Sequence, residues 1–171
     1  ALPILSIMIH QALSGRNIYI YGDGQQKRSF SHVDDCVNAI AAIISKLPKQ
    51  KVFNIGPDSN EISINDLAVA VKFYTESNSK IIHLDARPRE VKNAWCSSKL
   101  ATEVLDYSPT KQTPDIIKDI KNYILLNGIK NFNYNLSIQI YNKPIPETWK
   151  REKNLFNKRE GENYFEPSIG T

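Results

Sequence analysis

The stretch that most constrains this chain is Tyr21 to Asp35, which reads Tyr-Gly-Asp-Gly-Gln-Gln-Lys-Arg-Ser-Phe-Ser-His-Val-Asp-Asp. Before it, Asn17-Ile-Tyr-Ile-Tyr21 alternates β-branched and aromatic residues as a short strand does, and Gly22-Asp-Gly24 then supplies two positions that tolerate positive φ. The strand must stop in a tight turn. A second extended run is expected from Arg28 to Val33, and Asp34-Asp35 places carboxylates where a helix N-terminus favours them, ahead of the apolar series Val37, Ile40, Ala41 and Ile44. Arg28 is thereby fixed between a turn and a helix start. A guanidinium so placed suits a diphosphate, because its planar fork matches two phosphate oxygens and its charge is permanent.

The rest of the chain alternates strand and helix without repeats. Ile4, Ile7, Met8, Ala12 and Leu13 recur on one face of a helix that Pro3 opens and Gly15 ends. A helix over 35–46 is closed by Pro48, and Val52-Phe-Asn-Ile-Gly56 has the apolar run of a buried parallel strand. Ser63 is a natural N-cap, with Asp66 at N3, for a helix reaching Thr75. Ile81-Ile-His-Leu84 is a further strand; Pro88 then keeps Arg87 out of helical geometry. Ser97 or Ser98 caps a helix to Leu105, and Thr113-Pro114 opens one that Asn127-Gly128 stops. This pattern is α/β. The region 133–140 alternates with period two, as an edge strand would, with Leu136, Ile138 and Ile140 on one face.

Several signatures resemble, in order and at about the right spacing, those of the nucleotide-sugar epimerases and dehydratases, the extended short-chain dehydrogenase/reductases, and among them UDP-glucose 4-epimerase-like proteins. The residues that carry the resemblance are Tyr-Gly-Asp-Gly-x-Gln-x-Arg-x-Phe-x-x-Val-x-Asp from Tyr21, Val52-Phe-Asn-Ile-Gly56, Ser63-Ile-Asn-Asp-Leu-Ala68, Arg87-Pro-Arg-Glu-Val91, Ser98-Lys99 and Leu105-Asp-Tyr-Ser-Pro109. The resemblance implies the C-terminal part of an extended Rossmann-type fold. Residues 1–130 would be the nucleotide-sugar-binding portion, 131–156 a C-terminal arm and 157–171 a loose tail. It also implies that the dinucleotide-binding half, with the catalytic Tyr-x-x-x-Lys and the glycine fingerprint, lies upstream of Ala1. Ala1 has no initiator methionine before it, and Leu2-Pro-Ile-Leu reads as the middle of something.

By the same resemblance Arg28 and Arg87 would converge on the diphosphate of a UDP- or dTDP-sugar, Glu90 would accept from ribose hydroxyls, and Tyr21 would lie beside the base. Gln26, two residues before Arg28 on an extended run, shares its face and is a weaker candidate. No catalytic residue is expected within the chain. The intact enzyme would use NAD or NADP, held by the other half, and would be a cytoplasmic homodimer. A non-catalytic nucleotide-binding scaffold of the same fold is the alternative. Three departures bear on the site: Ser29 replaces an acid, Arg89 replaces a glycine, and Trp95-Cys96-Ser97 replaces a small residue and an Asp.

Composition excludes other classes. A net charge of +4 with no Lys/Arg run longer than two is poor for nucleic acid, and no apolar run reaches membrane-spanning length. Cys36 and Cys96 lie far apart and lack zinc-ligand spacing, so no metal is expected. Gly22-x-Gly24-x-x-Lys27 falls short of a dinucleotide fingerprint, since Lys stands at the third glycine and an extended run follows. Tyr107-Ser-Pro-Thr-Lys111 has catalytic spacing, but Pro109 interrupts the helix that chemistry would need. His10, His32 and His83 are read as structural or exposed.

Overall fold

The computed structural model describes residues 4–49, 52–58, 61–87 and 90–129 of the 171-residue chain. The expected edge strand at 133–140, the arm, the tail and Arg89 lie outside the described residues. The chain divides after Gly128 into two units, and every described helix and strand belongs to the first.

Helix α1, Ile4–Leu13, leads into strand β1, Ile18–Tyr21, and then into the short strand β2, Lys27–Arg28. Helix α2 is Val33–Lys46; strand β3, Ile62–Ser63, runs directly into helix α3, Ile64–Thr75. Strand β4, Ile81–Leu84, strand β5, Asn93–Ala94, helix α4, Lys99–Leu105, and helix α5, Thr113–Asn127, complete the order. β1 and β4 pair in parallel, Ile18 opposite Ile81 and Tyr21 opposite Leu84. β2 is the centre of a second small sheet, antiparallel to β3 and parallel to β5, with Arg28 opposite Ala94.

Hydrophobic burial explains why α1, α3 and α5 gather against β1. Leu5, Met8, Ile9 and Ala12 meet Ile18 and Ile20, Ile64, Leu67, Ala68 and Val71, and Ile116 and Ile117. The two isoleucines of β1 point to this core while Tyr19 and Tyr21 point away, the alternation a strand imposes. A smaller cluster of Ala39, Ala101, Leu105 and Tyr107 ties α2 to α4, with Phe53 and Ile55 packed on it. Ser63 caps α3 as its sequence implies, its hydroxyl accepting from Asp66 N at 3.0 Å.

Three expectations are corrected, and one face of α2 proves exposed. The extended run after the turn pairs only at Lys27–Arg28, and Val33 already begins α2, because the His32 ring caps the helix, its Nδ1 accepting from Asp34 N at 3.1 Å. The apolar series Val37, Ile40, Ala41 and Ile44 lies within α2 but faces outward, with Val37 54% exposed, Ile40 57% and Ile44 68%. The opposite side of α2, through Asp35 and Ala39, is the buried one. Residues 52–55 do not pair as a strand, since among the described residues no neighbouring strand offers them hydrogen bonds. Ser98 is the N-cap of α4 and its carbonyl accepts from Thr102 N at 2.9 Å, but its hydroxyl makes no cap bond and donates to Asp58 Oδ1 at 2.8 Å instead, while Ser97 Oγ accepts from Lys99 N at 3.3 Å.

Candidate functional site

The turn between β1 and β2 is held from two sides. Gly22 N donates to Leu84 O at 2.9 Å, and Gly22 O accepts from His83 Nδ1 at 2.8 Å, which fixes that ring's proton on Nδ1 because a carbonyl only accepts. From the other side, Asn65 N donates to Gly24 O at 3.0 Å and Asn65 Nδ2 to Asp23 O at 2.8 Å. Gly24 has a φ of +71°, and a Cβ there would lie 2.0 Å from Asn65 Oδ1. Only glycine fits.

The same observation tests the turn as a dinucleotide site. A pyrophosphate cradle needs open space over its glycines and a helix N-terminus behind them. Here Asn65 occupies the space over Gly24, Ala86 lies against Gly22, and β2 rather than a helix follows. The turn does not fit the cofactor, as its sequence implied.

The predicted site residues fall on this turn and on the segment that follows β4. The Arg87 guanidinium carbon lies 3.7 Å from the centre of the Tyr21 ring, within cation–π range. Gln26 is only 8% exposed, and its Nε2 donates to Tyr21 O at 3.0 Å. It is therefore a brace for Tyr21 rather than a surface group sharing the face of Arg28. Arg28 Nη2 is 3.7 Å from Glu90 Oε1, while Nη1 donates to Lys27 O at 2.7 Å and to Lys92 O at 3.4 Å. Arg28 thus pairs with Glu90, and Arg87 with Tyr21. Both pairs bridge the same two segments, 21–28 and 87–92. Ser29, where an acid would orient Arg28, has a buried hydroxyl with no hydrogen-bond partner and so gives Arg28 no hold.

Sequence reasoning missed the residues that position these groups. Asn65 and His83 hold the turn, and each is brought to it by a contact more than forty positions away in the chain. Asp35, a helix-terminal charge in the sequence pattern, is 2% exposed. Its carboxylate accepts from Thr110 N at 3.0 Å, Thr110 Oγ1 at 2.8 Å and Lys111 N at 3.3 Å. Burial alone would raise its pKa; the hydrogen bonds from Thr110 and Lys111 outweigh that and hold it below the ordinary value.

Tyr107 and Lys111 do not form a catalytic pair. α4 ends at Leu105, so no helix brings them to one face. Burial, then the charge of Asp35, pushes the Tyr107 phenol above its ordinary value, the wrong direction for an acid–base tyrosine. Among the described residues no group of three His, Cys, Asp or Glu side chains could hold a metal, and no helix is long and apolar enough to cross a membrane.

Comparison with known proteins gives these features a context. Residues 3–56 match the NAD dependent epimerase/dehydratase family. A UDP-N-acetyl-alpha-D-glucosaminuronate decarboxylase of Bacillus cytotoxicus is 36% identical over 81 residues, which is 47% of this chain and 25% of that protein. A UDP-glucuronate 4-epimerase of Thermodesulfobacterium geofontis is 27% identical over 118 residues, 61% of this chain and 36% of its own length. The crystal structure of a UDP-glucose 4-epimerase of Thermotoga maritima with UDP-glucose superposes with a TM-score of 0.68 at 25% identity, covering 72% of this chain and 40% of that one. A UDP-glucuronic acid 4-epimerase of Bacillus cereus, solved with UDP-glucuronic acid and NAD, gives 0.63 at 29% identity, covering 71% and 39%. The chain thus spans between a quarter and two fifths of the length of these relatives. The match over residues 3–56, the sequence relatives and the shared Rossmann-type fold agree in making this chain similar to the NAD dependent epimerase/dehydratase family.

Proposed function

We propose that this chain is the nucleotide-sugar-binding portion of an epimerase or dehydratase, and that Arg28 and Arg87 grip the diphosphate of a UDP- or dTDP-sugar. The observation that carries the reading is the double bridge between two segments distant in sequence, Arg28 to Glu90 and Arg87 to Tyr21, built on one rigid turn. Two guanidinium groups held on one frame supply the charge-assisted forks that a pyrophosphate needs, each contributing about 1.5–3 kcal/mol. In this reading Glu90 accepts from ribose hydroxyls and the Tyr21 ring receives the base. Gln26 serves by holding Tyr21. The relatives solved with UDP-glucose, or with UDP-glucuronic acid and NAD, support a UDP-sugar and a nicotinamide cofactor.

In this reading the chemistry belongs to a dinucleotide-binding unit that works with this one, and that unit holds NAD or NADP. The exposed stripe of α2 and the unpaired residues 52–55 supply a surface for it, since both have the apolar character of a face inside a layered α/β fold. Remote binding energy at the diphosphate would then position the sugar for oxidation and return of the hydride. The intact enzyme would be a homodimer.

Calorimetric titration of the intact protein with UDP tests the site. Arg28→Ala and Arg87→Ala should each weaken binding by about ten- to a hundredfold. Unchanged affinity in the double variant would defeat the assignment.

A further inference from the structure

Both arginines are engaged inside the chain before any ligand arrives. Arg87 lies over the Tyr21 ring at 3.7 Å, and a guanidinium at that distance covers the ring face. Arg28 is drawn back along its own strand, with Nη1 on the carbonyls of Lys27 and Lys92 and Nη2 beside Glu90. The 3.7 Å separation from Glu90 exceeds hydrogen-bond length, so that pair is an ion pair without a fork.

We infer that Tyr21 and Glu90 are internal competitors for the two arginines, and that Tyr21 thereby makes the site selective for a nucleoside diphosphate over a bare polyphosphate anion. This rests on the reading of the site as a nucleotide-diphosphate site. The ring of Tyr21 has one face toward Arg87, and a nucleobase stacks on the same kind of face. A ligand that carries a base can replace the guanidinium on the ring, so that stacking is exchanged rather than lost while Arg87 moves to the phosphates. An anion without a base must draw Arg87 away and leave the ring uncovered. At Arg28 the exchange is simpler: a diphosphate offers more charge and a better fork than one carboxylate at 3.7 Å.

The frame of the site allows this exchange without rearrangement. Tyr21 O is held by Gln26, and the next residue, Gly22, is bonded to both His83 and Leu84. The backbone under the ring therefore stays put while the Arg87 side chain changes partner. Gln26, buried behind the turn, keeps the platform in place.

The test titrates the intact protein with UDP and with inorganic pyrophosphate at one low ionic strength. Tyr21→Leu keeps bulk but removes the π face. It should tighten pyrophosphate by about two- to fivefold, the size of an exposed cation–π contact, and weaken UDP by a similar factor. Tyr21→Phe keeps the face and should keep the preference of the natural chain. Glu90→Gln, which leaves the ring untouched, should tighten pyrophosphate more than UDP. If Tyr21→Leu and Glu90→Gln both leave pyrophosphate binding unchanged or weaker while Arg28→Ala still weakens UDP, the competitor role is wrong and the binding site stands. If Arg28→Ala and Arg87→Ala together leave UDP binding unchanged, the site itself is wrong.

Discussion

Asp35 shows how much a single side chain can hold here. It receives three hydrogen bonds from residues 110 and 111, on the loop that joins α4 to α5, and so fixes that loop to the first turn of α2. Asp35→Asn keeps one acceptor oxygen and loses the charge, and should cost about 2 kcal/mol of unfolding free energy. Because the folded-state pKa is depressed below 3.8, the contribution is complete above that value and fades as pH falls through the lower folded pKa. Urea midpoints of the natural chain and of Asp35→Asn should therefore differ at pH 6 and converge as the pH drops below about 3.8. A difference that did not shrink at all as the pH fell below the ordinary carboxylate range would mean the hydrogen bonds matter without the charge. Nothing in the neighbourhood of Asp35 in sequence announces this role, since its partners lie 75 and 76 positions away.

Elements whose ends carry their own chemistry are legible in the chain; elements that depend on distant partners are not. α3 is readable because Ser63 and Asp66 lie three apart and satisfy its first turn locally. α5 is readable from Pro114 and Gly128, although its N-cap is Gln112, which joins Asp115 in a capping box. The start of α2 is hidden because His32 rather than an acid caps it, and histidine is an uncommon cap. The candidate site is partly legible: the family pattern marks Tyr21, Gln26, Arg28, Arg87 and Glu90, and the structure brings residues 21–28 together with the segment 87–92. Which arginine meets which partner is not, because that depends on the registers of β1 with β4 and of β2 with β5, which no local pattern fixes. At this scale Ser63→Ala should cost about 1 kcal/mol, read as a lower urea midpoint with unchanged slope. Gly24→Ala should cost more. The added methyl meets an Asn65 side chain already bonded to Asp23 O, on a backbone at +71° that L-residues resist, a conformational penalty alone of about 1–2 kcal/mol. Asn65→Ala with Gly24→Ala should recover part of that loss, which a thermal melt of the double variant would reveal.

Seen as one molecule, the unit to Gly128 has a well-filled core on one side and an uncovered apolar stripe on the other. Val33, Val37, Ile40 and Ile44 recur at steps of four and three, a pattern that keeps them on one side of α2, Leu47 follows at its C-cap, and all five are exposed. Each such side chain, if covered, would contribute about 1.5–3 kcal/mol, so leaving five of them in water is a substantial loss for a domain of this size. Single exposed hydrophobics are ordinary; a stripe running the whole length of a helix is the mark of a face that another layer covers. Ile40→Glu with Ile44→Lys separates two consequences of this. In the 171-residue chain alone the pair should leave the unfolding free energy within about 0.5 kcal/mol of the natural chain and lower both aggregation and binding of a hydrophobic dye. In a protein where the proposed dinucleotide-binding unit covers α2, the same pair should destabilise by several kcal/mol, because two charges would enter a covered interface. Equal, small effects in both would show that α2 meets water throughout; a large loss in the 171-residue chain alone would show that the chain covers the stripe itself.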